Sequence, residues 1–343
     1  MLTTDSVGGI WRYAVELSHG LVRFHDVTLA VVGPPATAAQ AAELSPLVAL
    51  VQPGLPLDWL ADTPACLGHA SRMLAAIDAD MALLHAPAYL HHRWPIPVAT
   101  VVHSCLTTWF AAVRGGVVPP DYRWRAEATA TGLRRADAVA APSQAFADDV
   151  QRTYGVPAVT AIHNGRRPIA LPDVLRARAV LTAGRLWDDG KNIAVLDQAA
   201  GGLSAPVRAA GSRRGPDGLD VPLRHIEPLG PLEEPGMAHA LASHSVFASP
   251  ALYEPFGLAV LEAAQSGLVL VLSDIPTFRE LWDGAALFVP PSDPAAWRAA
   301  LESALAAPEP WAALARERAA RYTVEACVDG TLGLLSRMMA APH

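Results

Sequence analysis

The sequence predicts an α/β protein built from two successive βα arrays, each with a parallel sheet. Three observations predict it. Short apolar runs alternate with helical stretches along the whole chain. Near residues 166–176 a segment without clear periodicity, carrying Pro168 and Pro172, breaks the alternation, which then restarts. The 343 residues also exceed what one hydrophobic core usually organises. A TIM barrel is the competing architecture at this length, but it requires evenly spaced units and no central break.

The first array opens on a short strand at Leu2–Thr4, a Gly8-Gly9 turn and a helix from about Ile10 to Leu21. Val27–Val32 is rich in β-branched residues and reads as the second strand. Ala82–His85, Val98–His103 and Ala138–Ala141 repeat the pattern, each running into a polar or proline-containing turn. Val159–Ile162 precedes the turn signal His163-Asn164-Gly165. After the break, Ala179–Thr182 reads as a strand, followed by a glycine-containing turn and a helix from about Asn192. Val207–Ala210, His225–Pro228, Ser245–Ala248, Val269–Leu272 and Ala286–Val289 complete the second array.

Composition narrows the function classes. Hydrophobic residues make up 52% and charged residues 17%, which excludes a disordered chain. No apolar run reaches the length of a membrane-spanning helix, and the N-terminus lacks the pattern of a signal peptide, so a cytoplasmic protein is expected. Cys66, Cys105 and Cys327 are scattered, which suits reduced structural thiols and neither a disulfide framework nor a metal cluster. A net charge of −7 argues against nucleic-acid binding. Arginines are nonetheless dense between Arg114 and Arg135 (Arg123, Arg125 and Arg134 among them), with Tyr122 and Trp124 interleaved. That stretch suits either a solvated helix face or contact with an anionic lipid surface or phosphate-bearing acceptor. Of 26 basic residues only Lys191 is a lysine, a point charge where the chain otherwise uses planar forks.

Two segments concentrate chemistry. In Glu254-Pro255-Phe256-Gly257-Leu258-Ala259-Val260-Leu261-Glu262, the proline and glycine favour a turn, and Leu258 to Ala264 reads as helix. The free N–H groups and dipole of such a helix start suit a diphosphate. Glu262 follows Gly257 by five residues, about 7–8 Å along a helix axis, where its carboxylate can accept from a ribose diol. Glu254 lies on the other side of the turn, and helix-flanking surface carboxylates are the alternative for both. The second segment, Gly184-Arg185-Leu186-Trp187-Asp188-Asp189-Gly190-Lys191-Asn192, follows a strand and opens a helix. Arg185 and Lys191 suit two adjacent phosphates, although Asp188 and Asp189 can instead pair with them as a surface network. The Walker A spacing is absent.

With these segments in place, the chain resembles the retaining GT-B glycosyltransferases of family 4 over nearly its whole length. Glu254 to Glu262 matches the E-x7-E motif of that family, and Gly184-Arg185…Lys191-Asn192 its G-R…K-N motif. Gly8-Gly9, Ala209-Ala210-Gly211, Leu229-Gly230, Ser273-Asp274-Ile275-Pro276 through Glu280, and Asp283 to Pro290 are similar to further landmarks in the same order. The resemblance implies two Rossmann-like βαβ domains facing each other across a cleft. Residues 1–167 would bind acceptor, residues 168–320 would bind the nucleotide-sugar donor, and residues 321–343 would form a helix packing back toward the first domain. It implies a hexosyl donor such as a UDP- or GDP-sugar, a glycan, lipid-linked or small-molecule acceptor, no metal and no resident cofactor. Arg185 and Lys191 would hold the diphosphate, Glu262 the ribose, and Glu254 the transferred sugar. Main-chain contacts would come from Phe256, Gly257 and Leu258, base contacts from Leu229 and Gly230, and close approach from Gly9, Gly184 and Gly211. His103 resembles the cleft histidine that meets the donor sugar.

Departures accompany the resemblance. Met1 stands where the family has several more strand residues, which implies a shorter translation product or a weakened sheet edge. His103-Ser104 replaces the common His-Asp. Asn164 suits either a cleft-orienting or a plain turn role, and Trp11, Tyr13, Trp94 and Trp109 either line an acceptor groove or fill a core. Nucleotide-sugar 2-epimerases share the architecture, but a distinct acid/base set is missing from this sequence. A pyridoxal-dependent phosphorylase would need the one lysine already assigned, and a non-catalytic sugar-nucleotide-binding subunit stays open.

Overall fold

The computed structural model describes residues 1–215 and 218–340; residues 216–217 of the expected second domain and 341–343 of the expected C-terminal segment lie outside the described residues. The chain divides into two compact units. One comprises residues 1–165 and the chain from Thr323 onward, the other Arg166–Tyr322.

The first unit alternates strands and helices: β1 (Leu2–Asp5), α1 (Gly9–Leu21), β2 (Val27–Val32), α2 (Ala38–Ala42), β3 (Val48–Val51), α3 (Pro64–Ala75), β4 (Ala82–Leu84), β5 (Val98–Val101), α4 (Leu106–Arg114), α5 (Arg123–Arg135), β6 (Ala138–Ala141), α6 (Gln144–Tyr154) and β7 (Thr160–Ala161). The seven strands form one sheet in the order β3-β2-β1-β4-β5-β6-β7, with every pairing parallel. Strand β1 therefore sits inside the sheet, Leu2 pairing with both Leu29 and Leu83, which corrects the expectation of a weakened edge there. Strand β3 escapes the sequence reading because it is the edge strand, only its first residue is buried, and a proline-rich loop follows.

The second unit continues with β8 (Ala177–Ala183), α7 (Ile193–Ala200), β9 (Val207–Ala210), β10 (Ile226–Gly230), α8 (Glu234–Ser243), β11 (His244–Ser249), α9 (Leu258–Gln265), β12 (Val269–Ser273), α10 (Pro276–Trp282), β13 (Leu287–Val289), α11 (Pro294–Ala306) and α12 (Trp311–Ala319). Its parallel sheet has the order β10-β9-β8-β11-β12-β13. The last helix, α13 (Val324–Ala340), belongs to the first unit. It packs on α1, where a Cβ on Gly20 would come within 2.3 Å of Val328, and the Gly165 backbone lies against the Thr323 carbonyl.

Strand side chains alternate between faces, and both faces are covered by helices. In β2, Leu29 and Val31 join one core cluster while Ala30 and Val32 join another. In β12, Leu270 and Leu272 face one cluster, Val269 and Val271 the other. This double burial is why the strands read as continuous apolar runs rather than alternating ones. It also removes polar function from the sheet faces and sends it to the loops beyond the strands' C-terminal ends.

Close packing sets a measurable constraint. A Cβ on Gly132 of α5 would fall 1.7 Å from the Pro87 carbonyl oxygen, whereas one on Gly236 of α8 meets nothing nearer than Leu232 at 3.4 Å. Gly132→Ala is expected to destabilise the protein by about 1–3 kcal/mol, and Gly236→Ala to stabilise it by roughly 0.4–1 kcal/mol through the unfolded chain. Thermal denaturation of the two variants side by side checks both signs.

Candidate functional site

In the second unit, sheet order reverses between β8 and β11, and the two loops leaving these strands carry the two motif segments. Main-chain bonds tie the loops together. The Gly190 carbonyl accepts from Leu252 N at 2.9 Å and Tyr253 N at 3.3 Å. Asp188 caps the 3₁₀ turn Asp189–Lys191, accepting from Gly190 N at 2.9 Å. Asn192, in the left-handed conformation (φ 54°), donates from Nδ2 to the carbonyls of Pro250 at 2.9 Å and Pro291 at 2.8 Å. Held in this way, Lys191 reaches across to Glu254, Nζ to Oε2 at 2.5 Å, both side chains largely buried. Arg185 is more exposed and pairs with Asp188 at 3.3 Å, the kind of contact the acidic-network alternative describes, whereas Lys191 has Glu254 as a partner.

Beyond Glu254 the chain turns through Gly257 into α9. Gly257 is left-handed (φ 91°), and a Cβ there would crowd Val260 at 3.2 Å and Glu254 and Phe278 at 3.3 Å, so glycine is required. No side chain caps this helix start, which leaves first-turn N–H groups and the positive end of the dipole for an anion. The Phe256 ring is buried against Tyr322, centroids 5.6 Å apart, so its contribution to a ligand falls to the main chain. Leu258 is half-buried in the first turn.

Three of the five predicted donor-site glycines, Gly184, Gly211 and Gly230, gather on adjacent strand ends. Gly184 N donates to Ala210 O at 3.0 Å and Gly211 N to Gly230 O at 2.8 Å. A Cβ on Gly211 would lie 1.8 Å from the Gly184 carbonyl oxygen, so Gly211 serves loop-to-loop contact, whereas Gly230 (φ 72°) borders open space beside half-buried Leu229. Glu262, one and a half turns into α9, accepts from Arg166 Nε at 2.9 Å through Oε1. Arg166 is buried and also reaches Glu234 at 3.2 Å. Sequence reasoning missed Arg166, Asn192 and Gly190. Arg166 sits in the aperiodic linker, where pattern carries no signal; Gly190 and Asn192 lay inside a recognised motif, and their signal was loop chemistry.

In the first unit, Gly9 is exposed at the start of α1, and its neighbour Gly8 carries the left-handed backbone (φ 81°). His103, two residues past β5, stacks edge-on with Tyr13 (4.5 Å between centroids) and His85 (5.1 Å). Both His85 ring nitrogens and His103 Nε2 are buried without a hydrogen-bond partner among the described residues. Burial lowers His103 to about 4 and pushes His85 well below the usual histidine range, with His103 beside it adding to the shift. Both rings are therefore neutral near pH 7. His85 was missed because it stood at a strand end with no motif around it.

Other expectations resolve toward structure. Trp11, Tyr13 and Trp94 are buried, with Trp94 Nε1 donating to Ser71 at 3.0 Å and Trp11 Nε1 to Glu43 at 3.1 Å, so they fill cores rather than line a groove. Trp109 stays half-buried on α4. Asn164 is buried, with Oδ1 unpartnered among the described residues. In the arginine-rich stretch, Arg125 lies over Trp124 (4.4 Å) and donates to Ala61 O at 2.6 Å, and Arg135 donates to His91 O. Cys105 and Cys327 are buried thiols raised by desolvation, Cys327 to about 11. Among the described residues no cluster of His, Cys, Asp and Glu could hold a metal, and no helix is long and apolar enough to cross a membrane.

Two parallel-sheet α/β units, one of them with a cation–carboxylate pair and an uncapped helix start at its rim, define the class of fold, and the comparisons with known proteins name it. The chain belongs to the GT-B glycosyltransferases: residues 7–168 match Glycosyltransferase Family 4 and residues 177–307 match Glycosyl transferases group 1. Among solved structures, sucrose-phosphate synthase from Thermosynechococcus elongatus superposes with a TM-score of 0.80 at 19% identity, covering 99% of each chain. WaaG, involved in lipopolysaccharide biosynthesis, gives 0.73 at 13% identity over 96% of this chain and 98% of that one. HepE from Anabaena, in complex with UDP and glucose, gives 0.72 at 15% identity over 98% and 99%. In sequence, a 54-residue segment is 37% identical to the O-antigen chain mannosyltransferase RfbU of Salmonella typhimurium; the match spans 16% of this chain and only 15% of that relative.

The histidine pair gives a pH signature. Each folded pKa lies below the unfolded value near 6.5, so the folded state binds fewer protons and stability rises with pH. This contribution is fully present above about pH 6.5 and is lost as pH falls toward 4. The melting temperature is expected to fall between pH 7 and pH 5, and to fall less in His85→Leu; an equal fall in both proteins would place its source elsewhere.

Proposed function

We propose that the protein transfers a hexosyl group from a nucleotide-diphosphate sugar to a glycan, lipid-linked or small-molecule acceptor, with retention of anomeric configuration and without a metal. The observation that carries this reading is the Lys191–Glu254 pair, held at 2.5 Å where the second sheet's strand order reverses, beside the uncapped start of α9. The ligands bound to HepE, UDP-glucose among them, support a UDP-sugar donor, and the RfbU segment supports a mannosyl donor of the same chemical class.

In this reading Lys191, Arg185 and the first-turn N–H groups of α9 neutralise the leaving diphosphate, the role a metal plays elsewhere. The donor phosphates compete with Glu254 for Lys191, which frees Glu254 to support positive charge developing on the sugar. Attack from the face the diphosphate leaves retains configuration without a covalent enzyme intermediate. A double displacement would need two carboxylates flanking the sugar; Glu262 lies on the far side of the α9 start and is held by Arg166, which leaves Glu254 alone. Gly230 and Leu229 flank the base; in the first unit, His103, neutral and unpartnered at Nε2 among the described residues, and Gly9 keep the roles the family resemblance assigns them. Exposed Val117 and Tyr122, with Arg114 and Arg123 around them, are the surface by which the cytoplasmic protein would touch an anionic membrane face.

Two outcomes test the reading. Lys191→Ala and Glu254→Ala are each expected to lower transfer by at least about 10²-fold while circular dichroism and melting stay near wild type; turnover retained in both would remove the assigned roles. Released nucleotide, followed over a panel of UDP-, GDP-, ADP- and TDP-sugars, is expected to show selective use of one donor, undiminished by EDTA. Donor binding without product under any acceptor would instead identify a non-catalytic sugar-nucleotide-binding protein.

A further inference from the structure

Arg166 is the first residue of the second unit, and its main chain is fixed at both ends. Its N–H donates to the Tyr322 carbonyl at 3.4 Å, and its carbonyl accepts from Gln265 Nε2 at 2.7 Å. The side chain is 8% exposed, with Nε on Glu262 Oε1 at 2.9 Å and Nη2 on Glu234 Oε2 at 3.2 Å. Glu262 and Gln265 are three residues apart on α9, so one residue grips one face of that helix through both backbone and guanidinium.

We propose that Arg166 is a positioning residue that holds the Glu262 carboxylate in the orientation a ribose diol requires, making the donor site selective for ribonucleotides over 2′-deoxyribonucleotides. This rests on the nucleotide-sugar reading of the same site. A free glutamate side chain samples several rotamers, whereas a charge-assisted bond from Nε of a buried guanidinium, itself anchored on Glu234 through Nη2, restricts where Oε1 of Glu262 can sit. Each carboxylate oxygen has two lone pairs, so Oε1 can accept from Arg166 and still serve a hydroxyl, and Oε2 adds further capacity. Glu262 is 16% exposed. When the 2′-hydroxyl is missing, this fixed and largely desolvated carboxylate loses a partner it cannot replace by turning toward water, which is the condition for strong discrimination. Glu234, at the more exposed end, tethers the far side of the fork.

The test is calorimetric binding of UDP against 2′-deoxy-UDP and of GDP against 2′-deoxy-GDP, on wild type, Arg166→Gln, Arg166→Lys and Glu262→Gln. Wild type is expected to prefer the ribo form of the base it binds by about tenfold. Arg166→Gln and Glu262→Gln should each bring that ratio close to one, Arg166→Lys should restore part of it, and the double variant Arg166→Gln/Glu262→Gln should add nothing further. A merely structural Arg166 would weaken both nucleotides equally and keep the wild-type ratio, which overturns the proposal. If Arg166→Gln does not fold, Glu234→Gln replaces it. A ratio unchanged in both Glu234→Gln and Arg166→Lys overturns it as well. Wild type that binds nucleotide without discriminating overturns the positioning role and leaves the donor reading standing, whereas wild type that binds none of the four removes the donor reading itself.

Discussion

A parallel sheet covered by helices on both faces has one place left for polar chemistry, the rim beyond its C-terminal strand ends. Each sheet here obeys that constraint, and the charged and glycine-rich segments follow from it. Gly184, Gly211 and Gly230 end three neighbouring strands, and Lys191 and Glu254 come from the loops on either side of the point where strand order reverses. In the other unit, Gly8-Gly9, His85 and His103 occupy the corresponding rim. Apolar faces that cannot accept a charge determine where the charges go.

At the second rim, each cation already has a carboxylate. Lys191 is held by Glu254, Arg185 by Asp188 and Arg166 by Glu262 and Glu234. A desolvated ammonium or guanidinium left alone would be costly, and each of these three cations is matched by a carboxylate of the same unit. An anion arriving at any of these cations would therefore exchange one ion pair for another rather than create one. The first-turn N–H groups of α9, by contrast, have no capping side chain.

Much of this was legible in the sequence, because it rested on periodicity and on residues with few chemical alternatives. Every strand expected in the two arrays is present, with ends shifted by a residue or two, and the central break at 166–176 falls where one unit gives way to the other. Strand β3 was not legible because a half-exposed edge strand lacks the double burial that makes the others continuous. Trp11, Tyr13 and Trp94 were ambiguous for a related reason: an aromatic residue carries the same signal whether it faces a core or a ligand. Arg166 and His85 were invisible because their significance is a contact across 96 residues in one case and a ring stack across 18 in the other. The positive φ at Gly8 rather than Gly9 is a matter of backbone geometry that a glycine pair cannot reveal.

The carbonyl of Gly190 receives the N–H groups of both Leu252 and Tyr253. That joint is made of main chain only, so it is indifferent to which side chains decorate either loop, and the spacing between the lysine and glutamate loops is inherited from the backbone. Grafting the segment 184–192 from another transferase would import its side chains but also its own idea of that spacing. Chimaeras at this rim should therefore exchange both loops together, as one cassette, or keep the backbone of each and vary only side chains.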